Sequence, residues 1–526
     1  MEKEYIVSLK KEVDYDQFWN EIENLSDSDG FVPSRRVEIV NNRDGSLRSC
    51  HYALTDDEAA LLRNDPRVFA VELNPKNVPG VIIRQLSTQT GNFTKTTSDS
   101  GNFLNYGLRR CISSVNPYGT GTTASSSFTY SLDGTGVDVV IQDSGIQVDH
   151  PEFQDANGVS RVQQINWYTA SGLTGTQSPN HYRDFDGHGT HVAGIAVGKT
   201  YGWAKNARIY SVKVNGLEGS GDENTGIPVE ECFNVIKLWH RNKPVDPVTG
   251  VKRPTIVNMS WGYSIPFINI LGGVYRTDPW VGNTRRTDFG MVGSPFNGNY
   301  YCDFRVASVD LDVEDMIDEG IHICVAAGNS YQKIDSLDGI DYDNYFIYDL
   351  GGGDSFDVFY HRGGSPTSDT AIRVGSTDST VFNATTEQKS TFSNCGPGVD
   401  IYAPGSNIMS CTSTTNKWGT GSQSYYLNSS YRQTNISGTS MSSPQVCGVA
   451  ACLLQLNPKL TPLEVKNRLI NDAQNMVYST GLSNDYTNTR SISNGIPRFL
   501  YQKYNGNQPY STSGGISMNN VSMVLR

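Results

Sequence analysis

The chain has 526 residues, of which 37% are hydrophobic and 18% charged, which suits one large domain plus a smaller one and excludes wholesale disorder. A net charge of -12 argues against nucleic acid or an anionic membrane as the main partner. No stretch approaches the roughly 20 apolar residues of a membrane helix, and the opening MEKEYIVSLKK lacks the basic segment and apolar run of a secretory signal, so the chain is expected to be cytoplasmic at synthesis.

Residues 1–75 read as a unit of their own. Tyr5–Leu9 suits a strand, and Asp14 can cap a helix with Phe18, Ile22 and Leu25 on one face. Val37–Val40 and Ser49–Ala53 read as two strands around the turn-rich NNRDGS. Thr55-Asp56-Asp57-Glu58 is a capping box that opens a second helix, Pro66 ends it, and Val68–Leu73 is a last strand. The order is βαββαβ, a small α+β domain. Residues 76–103 are rich in Thr, Ser, Asn and Gly and read as a linker or exposed arm.

From about residue 104 to 500, apolar strands without alternation recur: Val137–Ile141, Ile209–Val214, Thr255–Met259, Ile321–Ala327 and Ala371–Val374. Helical patterns such as Pro228–His240 and Val313–Glu319 lie between them. That rhythm predicts an α/β domain with a parallel sheet covered on both faces. Val446–Leu456 suits a core helix. Stretches near 263–307, 331–365 and 412–434 interrupt the rhythm as insertions, and 501–526 is a polar tail. Nine cysteines without CxxC or Cys/His metal spacing read as reduced, buried thiols rather than a disulfide framework.

Three short motifs carry chemistry. In VVIQDSG a buried strand ends in the carboxylate of Asp143. In GHGTHVAG, His188 opens a helix of small residues, with His191 one turn on as a structural residue. In SGTSMSSP, Ser440 opens another helix. A serine hydroxyl needs a base within hydrogen-bond reach, and the base needs a group that fixes its tautomer. Strand ends and helix starts bring such groups to one edge of a parallel sheet.

DSGI, GHGTHVAGI and SGTSMSSP, in that order, resemble the active-site signatures of subtilisin-like serine proteases. YGWAKNARIYSVKV, TIVNMSWG, ICVAAGNS and STFSNCGPGVDIYAPG extend the likeness, and YGLRRCISS…FTYSLDGTGVDVVIQDSGI leans toward the proteinase K branch. The first unit, through YIVSLK and YALTDDEAALLRNDPRVFAVELNP, resembles the family's inhibitory propeptide.

The resemblance implies a serine endopeptidase, made as a self-processing zymogen, with protein or peptide substrates and its own propeptide as intramolecular inhibitor. It implies Ser440 as nucleophile, His188 as general base and Asp143 as its orienting carboxylate. The oxyanion hole would be Asn329 with the Ser440 backbone N–H. The substrate backbone would lie between Ser260-Trp261-Gly262 and a second strand at Leu217-Glu218-Gly219. Asp378 sits where such proteins often hold a structural calcium; no cofactor is required for the chemistry. The alternative is a scaffold or assembly component, for example in a virus particle, with the insertions as contact surfaces.

Overall fold

A computed structural model describes residues 2–503 apart from 12, 24–34, 44, 79–81, 86–87, 90–105, 113–129, 131, 218–224, 283–285, 297–298, 379–386, 476 and 479–489. The tail from 504 on and the Leu25 position therefore lie outside the described residues.

At the centre is an eight-stranded sheet, in the order Gln474–Asn475, Arg498–Phe499, Ile401–Pro404, Ile372–Thr377, His322–Ala326, Thr255–Met259, Asp138–Asp143, Arg208–Lys213. Every pairing is parallel except that of the two short strands at the Gln474 edge. Along one strand, Val139 and Ile141 join the core on one face and Val140 joins the core on the other. This is why the strands read as unbroken apolar runs: neither face meets water. The helices His188–Val197 and Thr439–Leu456 cover the first face, and Val229–Arg241 and Ala307–Asp318 the second. Among the described residues no helix is long and apolar enough to cross a membrane. All nine cysteines are buried and free.

The N-terminal unit forms a four-stranded antiparallel sheet, ordered Glu38–Asn41, Ser49–Leu54, Lys3–Leu9, Val68–Leu73, with helices Tyr15–Glu23 and Asp56–Leu62. Its core of Tyr5, Val7, Leu9, Phe18, Ile22, Tyr52, Leu54 and Leu62 is separate from the two central clusters. The capping box forms: the Glu58 N–H donates to the Thr55 hydroxyl, and the Glu58 carboxylate accepts from the Thr55 N–H at 2.8 Å. The unit docks on Ala307–Asp318. Glu72 accepts the N–H groups of Ala307 and Ser308 at 2.9 and 2.8 Å, caps for a helix end that would otherwise be unsatisfied. Arg43 and Asp312 form an ion pair 2.5 Å long, each side chain 2% exposed. Burial pushes the Asp312 carboxyl above its ordinary range, and the guanidinium pulls it part of the way back.

The regions expected as long insertions are folded. Residues 263–307 and 331–365 supply two antiparallel sheets: Ser294–Phe296, Asn299–Asp303 and Trp261–Pro266 in one, and Asp278–Val281, Ile270–Tyr275, Tyr345–Gly351 and Asp354–Phe359 in the other. They share a core that includes Ile265, Phe267, Phe346, Tyr348 and Tyr360. The third region is a hairpin in which Gln423–Tyr425 pairs with Asn428–Ser437, beside Ile408–Thr412. The 76–103 stretch, expected as a linker or exposed arm, places Ile82–Gln85 on Trp261–Pro266 and Thr88–Gln89 on the end of Asn428–Ser437.

Truncating one partner of a buried ion pair strands the other charge. Asp312→Ala is therefore expected to lower stability by about 3–5 kcal/mol, whereas Lys11→Ala, which breaks the exposed pair with Asp318, should cost under about 1 kcal/mol. Urea unfolding of the full chain checks both.

Candidate active site

Asp143 ends its strand at the carboxyl edge of the central sheet. His188 is the first residue of one helix and Ser440 the second of another. A methyl group added at Gly448 would lie 2.8 Å from the Ala196 carbonyl, each residue eight beyond the chemical one on its helix. The two helices thus run side by side in the same sense, and both N-termini open on the same edge.

His188 Nδ1 lies 2.7 Å from Asp143 Oδ1, with both side chains at most 1% exposed. The same carboxylate oxygen accepts the Ser144 N–H at 2.8 Å. A carboxylate at Nδ1 holds the proton there and leaves Nε2 as the basic nitrogen. Among the described residues Nε2 has no hydrogen-bond partner. The Ser440 hydroxyl donates to the Ser260 carbonyl at 2.9 Å.

Asp184, which sequence reasoning passed over, anchors the His188 loop. Its carboxylate accepts from the Ser144 hydroxyl (3.0 Å), the Gly187 N–H (2.8 Å), and the N–H and hydroxyl of Thr190 (2.9 and 2.5 Å). The carboxylate four residues ahead of the histidine in DFDGHGT was the available signal. Gly189 is required by space: a Cβ there would stand 2.1 Å from the Gly145 carbonyl. His191 lies beneath the site, with Nε2 3.1 and 3.0 Å from the carbonyls of Ile408 and Thr434. Burial, with a smaller contribution from His188, lowers it to about 3.

Ser440 is set by a proline. Pro444 has no N–H to return to the Ser440 carbonyl one turn back. That carbonyl accepts instead from the Ser260 hydroxyl at 3.0 Å. Ser260 and Ser440 therefore exchange two hydrogen bonds, each hydroxyl to the other's carbonyl. Asn329 presents its carbonyl oxygen to the N–H and hydroxyl of Thr439 (3.0 and 2.9 Å), which fixes which end of its amide accepts and leaves the nitrogen end as donor.

Trp261 and Gly262 carry a ready-made β-edge, paired antiparallel with Gln85 and Arg84. Leu217 is buried in the core behind the neighbouring strand, while Glu218 and Gly219 lie outside the described residues. The Asp378 carboxylate pairs with Arg490 at 2.6 Å, and among the described residues no group of three or more His, Cys, Asp or Glu is placed to hold a metal.

The model of the Subtilase family matches residues 134–495. The chain belongs to the subtilase family. It is a subtilisin-like serine endopeptidase by class, and its large, mostly parallel sheet flanked by helices is the fold of that family. The extracellular serine proteinase of Thermus sp. (strain Rt41A) is 28% identical over 81% of this chain and 70% of its own length. Subtilisin-like protease 1 of Trichophyton rubrum is 27% identical over 86% of this chain and 65% of its own. Among solved structures, fervidolysin from Fervidobacterium pennivorans, a keratinolytic enzyme related to subtilisin, aligns with 98% of this chain and 62% of its own at a TM-score of 0.52 and 16% identity, a likeness of fold.

Two outcomes follow from the geometry. Asp143→Asn should leave the fold intact and lower turnover by about 10⁴-fold, because an amide no longer enforces the Nδ1–H tautomer; hydrolysis of a chromogenic peptide measures it. His191, held near 3, takes up a proton on unfolding below its ordinary value, so the stability tied to its neutral form is full above about pH 6.5 and is lost as pH falls toward 3. In His191→Gln the loss of stability with acid should be shallower by about 1.4 kcal/mol per pH unit across that window, read from urea midpoints at successive pH values.

Proposed function

We propose that the chain is an active serine endopeptidase made as a zymogen, which cuts itself between Gln85 and Thr88 and then cuts other proteins. One observation carries this reading. Ile82–Gln85 pairs along Trp261–Pro266, with Gln85 opposite Trp261, and Thr88 pairs with Ser437, three residues before Ser440. The chain enters on one side of the nucleophile and leaves on the other. The three peptide bonds from Gln85 to Thr88 are those available to the Ser440 hydroxyl.

The chemistry follows from the parts. Ser440 Oγ turns from the Ser260 carbonyl to His188 Nε2, gives up its proton there and attacks the carbonyl carbon. The oxyanion is held by the Ser440 N–H, at a helix start where no intrahelical carbonyl claims it, and by the Asn329 amide. His188 returns the proton to the departing amine, with Asp143 stabilising the charged ring meanwhile. Water then repeats the sequence on the acyl-enzyme. Substrates bind as an added strand on Trp261–Gly262 once the segment occupying that edge has been cut.

On this reading the N-terminal unit is the propeptide, docked through Glu72 and the Arg43–Asp312 pair, and it remains an inhibitor after the cut for as long as those contacts persist. The scaffold alternative has no comparable support, since the relatives are proteases by name.

Intact mass and N-terminal sequencing test the proposal. Wild type should yield a fragment beginning at residue 86, 87 or 88, while Ser440→Ala stays whole. If both stay at full length and a fluorophosphonate leaves Ser440 unlabelled, the proposal fails.

A further inference from the structure

The return strand of the first insertion, Asn299–Asp303, ends beside the substrate-edge strand, with Asp303 opposite Ser264. Asp303 is 6% exposed. It lines a small cleft with Trp261, Gly262, Ala327, Gly328 and Gly364, between the substrate edge and the loop that carries Asn329. We infer that Asp303 is a positioning residue for the oxyanion hole: it fixes the Asn394 amide and the Ser330 hydroxyl, and they fix the turn that holds Asn329. This rests on the reading of Asn329 as oxyanion donor given above.

The turn from Ala327 to Gln332 leaves the central sheet and has few backbone partners of its own. Asn394 supplies them. Its carbonyl oxygen accepts the N–H groups of Ser330 and Gln332 at 3.0 and 2.9 Å. Its amide nitrogen donates to the Ala327 carbonyl at 2.8 Å, and its backbone N–H donates to the Gly328 carbonyl at 2.9 Å. One side chain thus binds the turn on both sides of Asn329, provided that its amide faces the right way. Asp303 enforces that orientation, because Oδ2 accepts from the Asn394 nitrogen and would repel its oxygen. Oδ1 accepts the Ser330 hydroxyl at 2.6 Å.

A carboxylate serves both contacts best. It accepts at both oxygens with a full charge, whereas an amide in its place keeps one acceptor and must turn the other contact round, donating to the Ser330 hydroxyl without the charge. The fit also depends on Gly328, whose φ is +106° and where a Cβ would stand 2.1 Å from Oδ2. The loop is thereby pressed directly onto the carboxylate. On the far side, Thr439 donates its N–H and hydroxyl to Asn329 and accepts the Gly328 N–H at 3.2 Å. Asn329 is therefore held between the start of the Ser440 helix and a clamp whose last member comes from the insertion.

The experiment is a double-mutant cycle on peptide hydrolysis, with each protein normalised to the Ser440 labelled by a fluorophosphonate. Asn329→Ala should lower kcat by about 10²–10³-fold. Asp303→Asn should lower kcat by about 10–100-fold, within that limit, while KM stays within about threefold, because the role belongs to the transition state. The double variant should be no slower than Asn329→Ala alone, the mark of two residues acting through one interaction. Ser330→Ala, which keeps the Asp303–Asn394 contact, should give a fall of a few-fold with the same non-additivity and stands in if Asp303→Asn does not fold. Effects of Asp303→Asn or Ser330→Ala that multiply with that of Asn329→Ala, or that appear in thermal stability with kcat untouched, would overturn the inference. An unchanged kcat in Asn329→Ala itself would instead remove the oxyanion reading on which it rests.

Discussion

A parallel sheet buried on both faces can present chemistry only where its strands end, and that constraint organises this molecule. Val139, Val140 and Ile141 are all consumed by packing, so Asp143, the last residue of the same strand, is the first position free to act. The helices that cover the sheet begin at the same edge, and two of them bring His188 and Ser440 there, their first N–H groups met by side chains such as Asp184 and Asn329. Burial of the Asp143–His188 pair then makes its 2.7 Å contact count, since little water competes for either group.

Around that edge, hydrogen-bond deficits in one element are met by another. Pro444 deprives the Ser440 carbonyl of its helical donor, and Ser260 supplies one. In the turn bearing Asn329, the N–H groups of Ser330 and Gln332 are met by the Asn394 side chain, and Asn329 itself accepts from Thr439. The His188 loop gathers on Asp184, a buried carboxylate whose proton affinity is raised by desolvation and restrained by its several donors. Each arrangement ties a chemical group to a strand or helix that is itself anchored in the core, the condition under which a site keeps its geometry.

The N-terminal unit and the first insertion meet the catalytic fold at the same place. The unit caps the Ala307–Asp318 helix through Glu72, and Lys3 reaches Asp354 in the insertion sheets. Between them Ile82–Gln85 lies on the substrate edge. The contacts of the N-terminal unit with the catalytic fold and with the insertion sheets are therefore continuous.

The central strands and helices were legible because an element buried on both faces leaves an unbroken apolar run, and an amphipathic helix a period of 3.6. Asp143, His188, Ser440 and Asn329 were legible because their neighbours are small residues needed for tight turns at fixed spacing. The insertions were not. Asn299–Asp303 pairs with Trp261–Pro266, and Tyr345–Gly351 with Ile270–Tyr275, across long stretches of chain, and pairing of that kind leaves no local period. For the same reason 76–103 reads as a linker although Ile82–Gln85 and Thr88–Gln89 pair with Trp261–Pro266 and Asn428–Ser437. The sequence by itself determined the class of fold and the chemical groups at its edge, since both depend on local burial and local turns. Which polar group meets which, and what crosses the active site, only the tertiary structure decided, because hydrogen-bond partners and β-registers are chosen by three-dimensional proximity.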